Sequence, residues 1–110
     1  MKKLGGISVL LLTSCGILGP GYSGQTTAGA LLKSDTERNI NFIFRALHQC
    51  TPEKIHTQIN SVKPATPNSV EQAQETWTVT GCGKTEVFDL KYVGDGVGGT
   101  YINMTKTKKN

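Results

Sequence analysis

Apolar positions between residues 40 and 50 recur at the spacing of a helix. Ile40, Ile43, Phe44, Leu47 and Cys50 fall at i, i+3, i+4, i+7 and i+10. This spacing places them on a single stripe of an α-helix, so the pattern predicts an amphipathic helix that buries this face.

The residues around this stripe predict where the helix begins and ends. Ser34 is followed three residues later by Glu37, which is the pattern of a capping box that satisfies free amides of a first helical turn. Pro52 disfavours helical geometry at the residue before it, so we expect the helix to end near Cys50.

Beyond Pro52 the period of the pattern changes to two, which is typical of strands. Trp77 and Val79 alternate with threonines, and similar alternation marks residues 55–59, 88–92 and 100–104. Glycines in residues 94–99 supply the positive-φ positions of a hairpin connection. The sequence therefore predicts an α+β fold: one N-terminal helix packed on a three- or four-stranded antiparallel meander, with a threonine-rich face in water.

The first fifteen residues, MKKLGGISVLLLTSC, have a different pattern. Two lysines precede an apolar run from Leu4 to Leu12. A transmembrane helix needs roughly 20 apolar residues, so the run is too short to span a bilayer and fits a cleavable export signal.

The end of this run, Leu12-Thr13-Ser14-Cys15, resembles the lipobox of bacterial lipoprotein signal peptides. The resemblance implies that residues 1–14 are removed and that Cys15 is lipidated, with each buried methylene contributing about 0.8 kcal/mol to membrane anchoring. Gly16 follows the cysteine where aspartate would favour retention in the inner membrane, which implies the periplasmic face of the outer membrane. The alternative is an ordinary secretory signal cut after residues 28–30, AGA.

Composition divides the rest of the chain. Residues 15–33 are rich in glycine and small polar residues and predict a flexible tether, residues 34–105 the α+β domain, and residues 106–110 a basic tail. The formal net charge of +4 falls to +2 when Lys2 and Lys3 leave with the signal, and three of the remaining basic residues lie in the tail. We expect the tail to be a solvated end, and the alternative is a contact for anionic headgroups or an acidic partner. No basic stripe interleaved with aromatic residues is present, so we expect no nucleic-acid partner.

Two cysteines remain after lipidation of the first. Cys50 and Cys82 in an exported chain predict a disulfide, which would close a loop of roughly 32 residues. The alternative is a metal site formed with His48 and His56. His48 and Cys50 are two positions apart on the helix and point about 200° away from each other, which favours the disulfide.

Other chemical motifs are weak. The glycines of residues 94–99 match a dinucleotide fingerprint, but the segment after them has the pattern of a strand rather than a helix, and Asp95 fits a turn. Glu71 and Glu75 fall at i, i+4 in a stretch expected to be exposed, without a partner acid. We therefore expect no enzyme, no cofactor and no metal.

The strand pattern also carries a family resemblance. Residues 77–83 read WTVTGCG and residues 98–100 read GGT. These segments are similar to small, functionally uncharacterised lipoproteins of Gram-negative bacteria, which implies a compact lipoprotein domain without an assigned activity. A looser likeness, in architecture only, is to the alternative pilotins of type II secretion, lipoproteins with a helix, a small sheet and one disulfide that escort a secretin to the outer membrane.

The expected function is that of an outer-membrane lipoprotein acting as a non-catalytic interaction or accessory module for an envelope protein. A pilotin-like chaperone, favoured by an open groove between helix and sheet, and a small-ligand or inhibitory module are the alternatives. The candidate partner surface comprises Phe42, which is off the helix stripe, and Tyr101, which is expected to point outward beside Thr78 or its neighbours. The strand threonines and the basic tail are further candidates.

Overall fold

The computed structural model describes residues 20–107. One helix packs on a five-stranded sheet whose strands lie in chain order, so the predicted α+β class is confirmed. The first strand is parallel to the second and all other neighbours are antiparallel, so the predicted sheet of three or four antiparallel strands was incomplete. The elements are β1 (Gly21–Gly24), α1 (Ala30–His48), β2 (Lys54–Lys63), β3 (Gln72–Gly81), β4 (Lys84–Gly94) and β5 (Thr100–Lys106).

The additional strand, β1, lies in the segment predicted to be a flexible tether. The Gly21 amide donates to the Glu53 carbonyl over 3.0 Å, and the Gln25 amide donates to the Thr57 carbonyl over 3.1 Å. A strand with glycine at both ends has no hydrophobic alternation of its own, so it forms because β2 offers it a hydrogen-bonding edge. From residue 20 onward the predicted tether is part of the fold, and residues 15–19 lie outside the described part of the chain.

The helix begins five residues before the position that the capping-box pattern predicted. Its N-cap is Gly29, which has no side-chain cap, and the amide of Lys33 donates to the Gly29 carbonyl over 2.8 Å. Ser34 lies inside the helix, so the predicted capping box is wrong. At the other end Gln49 takes a left-handed conformation (φ 51°), close to the predicted end at Cys50.

The core lies between the helix and one face of the sheet, as expected. Two stripe residues, Ile40 and Phe44, are fully buried, whereas Leu47 is 46% exposed and was wrongly placed in the core. Thr36 is buried instead, because the line of contact follows the i, i+4 ridge of the helix. The buried apolar residues of the core are Ile40, Phe44, Ile55, Trp77, Val79, Phe88 and Leu90.

Two tight connections join the last three strands. Cys82 (φ 51°) and Gly83 (φ 73°) form a two-residue hairpin with the positive φ angles of a type I′ turn. The β4–β5 connection contains positive-φ glycines, as predicted, and Asp95 Oδ1 accepts the amides of Val97 and Gly99 at 2.8 Å each. These amide donors lower the pKa of Asp95.

Candidate functional site

A buried carboxylate joins the sheet to the N-terminal segment, which we define as residues 20–29, the strand β1 and the connection to α1. Glu75 is 1% exposed. Its Oε1 accepts hydrogen bonds from Thr26 Oγ1 (2.6 Å) and Trp77 Nε1 (2.8 Å). Its Oε2 accepts from the backbone amide (2.7 Å) and the hydroxyl (2.5 Å) of Thr27. Four donors therefore compensate the burial of one carboxylate.

The exposed position predicted for Glu75 is wrong, and the strand pattern contains the signal that corrects it. Glu75 has the same parity as Trp77 and Val79, so it must share their inward face. The donors other than the Trp77 indole come from residues 26 and 27, a stretch assigned to the tether, and therefore no motif near Glu75 in sequence identifies them.

A second contact holds β1 against the core. The Tyr22 ring packs edge-on against Trp77 with centroids 6.0 Å apart, and its hydroxyl donates to Glu37 over 2.6 Å. Burial and the negative charge of Glu37 raise the pKa of Tyr22. Lys33 Nζ lies 4.0 Å from the centre of the same ring, a cation–π contact. The N-terminal segment is therefore fastened to both the helix and the sheet.

A second buried carboxylate connects α1, β4 and β5. His48 Nε2 donates to Glu86 Oε2 over 2.8 Å, and Lys106 Nζ lies 3.4 Å from Glu86 Oε1. Burial acts to raise the pKa of Glu86, but the hydrogen bond from His48 and the contact with Lys106 outweigh it and lower the pKa. The charge of Glu86 is thus stabilised by partners from the two elements that flank it.

The disulfide predicted from the two cysteines is present. Cys50 and Cys82 are bonded, with their α-carbons 6.4 Å apart. The alternative metal site is not formed, because the bonded sulfurs are no longer thiolates and the two histidines bond elsewhere. His48 contacts Glu86, while His56 Nδ1 forms a 2.8 Å hydrogen bond with Ser23.

The two candidate partner residues lie on separate surfaces. Phe42 is 76% exposed in an open groove of α1 between Arg38 and Arg45. Tyr101 is 65% exposed on β5. Its neighbour in the sheet is Val93, not Thr78 as expected, because the register places Tyr101 at the far end of β4. Phe42 is on the helix layer and Tyr101 on the sheet layer, so they do not form one binding site.

The remaining opening between helix and sheet is small. A cleft of about 260 Å³ beside the β4–β5 connection is lined in part by Leu32, Val62 and Tyr92. The Tyr92 and Thr36 hydroxyls form a 2.7 Å hydrogen bond at this end of the core, and burial raises the pKa of Tyr92 to about 12. Beyond this cleft the buried core cluster packs between the helix and the sheet.

No family model, curated protein or solved structure matches this chain. Within residues 20–107 no helix has the length and apolar character required to cross a membrane.

Proposed function

We propose that the protein is a lipoprotein of the bacterial outer membrane, anchored through Cys15 and acting as a non-catalytic interaction module for another envelope component. The Leu12-Thr13-Ser14-Cys15 segment behind an apolar run supports lipidation. The Cys50–Cys82 disulfide suits an oxidising compartment.

The fold supports processing at Cys15 over cleavage after residue 30. Cleavage after Ala30 would remove β1 and would leave the buried Glu75 carboxylate without its donors from Thr26 and Thr27. A buried carboxylate that keeps one of its four donors, the Trp77 indole, is strongly destabilising, so a mature chain starting at Leu31 would lose much of its stability. This is the single observation that carries the proposal, because it argues that residues 21–27 belong to the mature domain.

The short connection holds the domain close to the lipid. Five residues separate Cys15 from Gly21. A fully extended chain spans at most about 3.6 Å per residue, so β1 begins within about 20 Å of the anchored residue. A domain held this close to the bilayer suits a partner that is itself in or near the membrane.

The arrangement of polar groups supports binding rather than catalysis. Both buried carboxylates, Glu75 and Glu86, form hydrogen bonds with other residues of the fold. The outward sheet face is broad and polar, and the 260 Å³ cleft is too small to hold a partner helix, which favours an interaction module over a pilotin-like chaperone. Exposed residues of that sheet face include His56, Gln58, Gln74, Asp89, Lys91, Tyr101 and Asn103.

Lipidation is tested by comparing the wild-type chain with Cys15→Ala in a Gram-negative host. We expect the wild-type protein to carry added acyl mass and to fractionate with the outer membrane, and Cys15→Ala to remain as an uncleaved precursor. The matched control is Cys82→Ala, which should keep the lipid. A mature chain that starts near Leu31 and carries no lipid would contradict the proposal.

The interaction role is tested by placing a photo-crosslinking residue at Phe42 or Tyr101 in intact cells. The control position is Val62, which is 58% exposed and lies on β2, three strands away from β5. We expect a discrete adduct with an envelope protein at one of the two sites and none at the control. The same pattern of adducts at all three positions would contradict a defined partner surface.

A further inference from the structure

The sheet has an open edge at β5. This strand pairs with β4 on one side and with no other strand of the described chain. Hydrogen bonds from Thr107 to Val87 and from Asp95 to Gly99 show which residues of the ladder face β4. Because bonded pairs alternate along an antiparallel ladder, residues 101, 103 and 105 bond to β4. The amides and carbonyls that point to the open edge are those of Thr100, Ile102, Met104 and Lys106.

The usual protections of an edge strand are missing from β5. Natural edges are blocked by proline, by bulges, by charges or by short length. β5 has seven residues in unbroken register with β4 and contains no proline. Its one charge, Lys106, stands at the end of the strand beside Glu86.

The side chains of β5 are also incompletely covered. Ile102 and Met104 point to the core side but are only partly buried, at the margin of the core cluster. Tyr101 on the other side is 65% exposed. A further strand along this edge would cover apolar surface on both faces of the sheet and satisfy the free backbone groups.

We propose that this edge pairs with the same edge of a second copy of the chain. The two β5 strands run antiparallel about a two-fold axis at Asn103. Ile102 then stands opposite Met104 of the second copy, and Thr100 stands opposite its Lys106. Every free amide and carbonyl of one edge meets a free group of the other, apolar side chains face apolar ones, and no like charges oppose each other.

The strand is complementary to itself in this register and less so in others. A shift of one residue would place the free backbone groups of one β5 strand opposite groups of the other that are already bonded to β4. It would also place core-side residues opposite residues whose side chains lie on the outer face of the sheet. A shift of two residues would reduce the paired length from seven residues to five. The centre at Asn103 is therefore the register that uses the whole strand.

The resulting dimer is closed. A two-fold axis perpendicular to the sheet joins the strands of both copies into a continuous sheet and keeps both helices on the same face. Each copy contributes its β5 edge, and the two-fold pair leaves neither β5 edge free, so assembly through this strand stops at two. Pairing along a single strand buries less surface than a standard interface, and we expect a dissociation constant in the micromolar range, about 1–100 µM. The dimer does not depend on lipidation.

The register is tested by cysteine crosslinking of the full chain expressed in the cell envelope. Directly opposed residues have β-carbons about 4.5–5.5 Å apart, so Asn103→Cys should yield a covalent dimer that reductant reverses. Tyr101→Cys is the control on the same strand and face. Its counterpart in the second copy lies about 13 Å away, so it should yield at most about a tenth as much dimer. Co-expression of Tyr101→Cys with Thr105→Cys should restore crosslinking.

A second test needs no added thiol. Asn103→Asp and Asn103→Lys each place like charges opposite each other, so either variant should raise the dissociation constant at least about fivefold in sedimentation of detergent-solubilised protein. A mixture of the two should associate again, and Gln74→Asp on the central strand β3 should change nothing. Wild-type protein that stays monomeric up to about 1 mM, or equal crosslinking at positions 103 and 101, would overturn the proposal.

Discussion

The two edges of the sheet are built in opposite ways. At one edge the four-residue strand β1 shields the start of β2, and the uncovered remainder of β2 has a register shift between Ile59 and Ser61. At the other edge β5 is longer, regular and open. A short or irregular edge resists pairing with another chain, whereas a regular one invites it. The difference indicates that the first edge is closed by the fold and the second is available for association.

The closed edge owes its stability to contacts that lie far apart in the sequence. Glu75 reaches back to Thr26 and Thr27, and Tyr22 reaches Glu37 and Trp77. At the open edge the contacts are nearer in sequence than those of Glu75 with Thr26 and Thr27: Lys106 lies beside Glu86, and the Thr107 hydroxyl donates to Asp89. The segment nearest the proposed lipid anchor is therefore a fastened part of the domain.

The largest expected loss of unfolding free energy comes from removal of the disulfide, which closes the loop containing β2, the strand that pairs with β1. Cys50 and Cys82 are 32 residues apart and enclose β2 and β3. The double variant Cys50→Ala/Cys82→Ala should lose about 3.5–4 kcal/mol of unfolding free energy in urea titrations. Wild-type protein in reductant is the control and should behave like the double variant. A loss below about 1 kcal/mol would show that the loop is held by other contacts.

The second-largest expected loss of unfolding free energy comes from removal of the buried Glu75 carboxylate. Glu75→Ala leaves the donors of Thr26, Thr27 and Trp77 without their acceptor, so we expect a loss of about 3 kcal/mol. Hydrogen exchange should show the loss of protection concentrated in β1. The matched control is Glu71→Ala, an exposed acid in the same stretch of sequence, which should stay within about 0.5 kcal/mol of wild type. Uniform loss of protection across the sheet would contradict a local fastening role for Glu75.

These two predictions differ in how far the sequence alone supports them. The disulfide follows from cysteine count and compartment, and the helix and sheet core follow from periodicity at Ile40, Phe44 and Trp77. Strand β1 has no such pattern, because its formation depends on the edge of β2 and on the contact of Tyr22 with Trp77.

The residues around Glu75 also include some that the sequence predicts and some that it does not. The position of Glu75 could be inferred from its parity with Trp77, but its donors Thr26 and Thr27 could not, since they lie 49 and 48 residues away. The prediction that Leu47 is buried is wrong because residues three and four positions along a helix both fit an apolar stripe, and Leu47 is three positions after Phe44. The packing of α1 on the sheet, through Thr36, Ile40 and Phe44, selects i+4.

The third prediction tests the contact that fastens β5. The pKa of Glu86 is lowered in the folded state, so its stabilising contribution is complete above the ordinary value of 4.5 and is lost as the pH falls through the folded pKa. Unfolding free energy should therefore fall between about pH 5 and pH 3. Glu86→Gln should flatten this slope, while the exposed Glu53→Gln should keep it. An unchanged slope in Glu86→Gln would place the acid sensitivity elsewhere in the molecule.

The smallest effect on unfolding free energy is expected at the exposed aromatic residues. Variants at these positions therefore distinguish a change in dimer association from a change in folding stability. Tyr101 and Phe42 are mostly in solvent, so Tyr101→Ala and Phe42→Ala should each change the unfolding free energy by less than about 0.5 kcal/mol. On the open edge Tyr101 faces Thr105 of the second copy, so Tyr101→Ala should weaken the dimer by about two- to fivefold in sedimentation measurements. Phe42 is on the helix, away from β5, and its loss should leave the dimer unchanged. Equal weakening by both variants would mean that the copies associate through the helix layer, and the contrast between the two edges would then have no bearing on assembly.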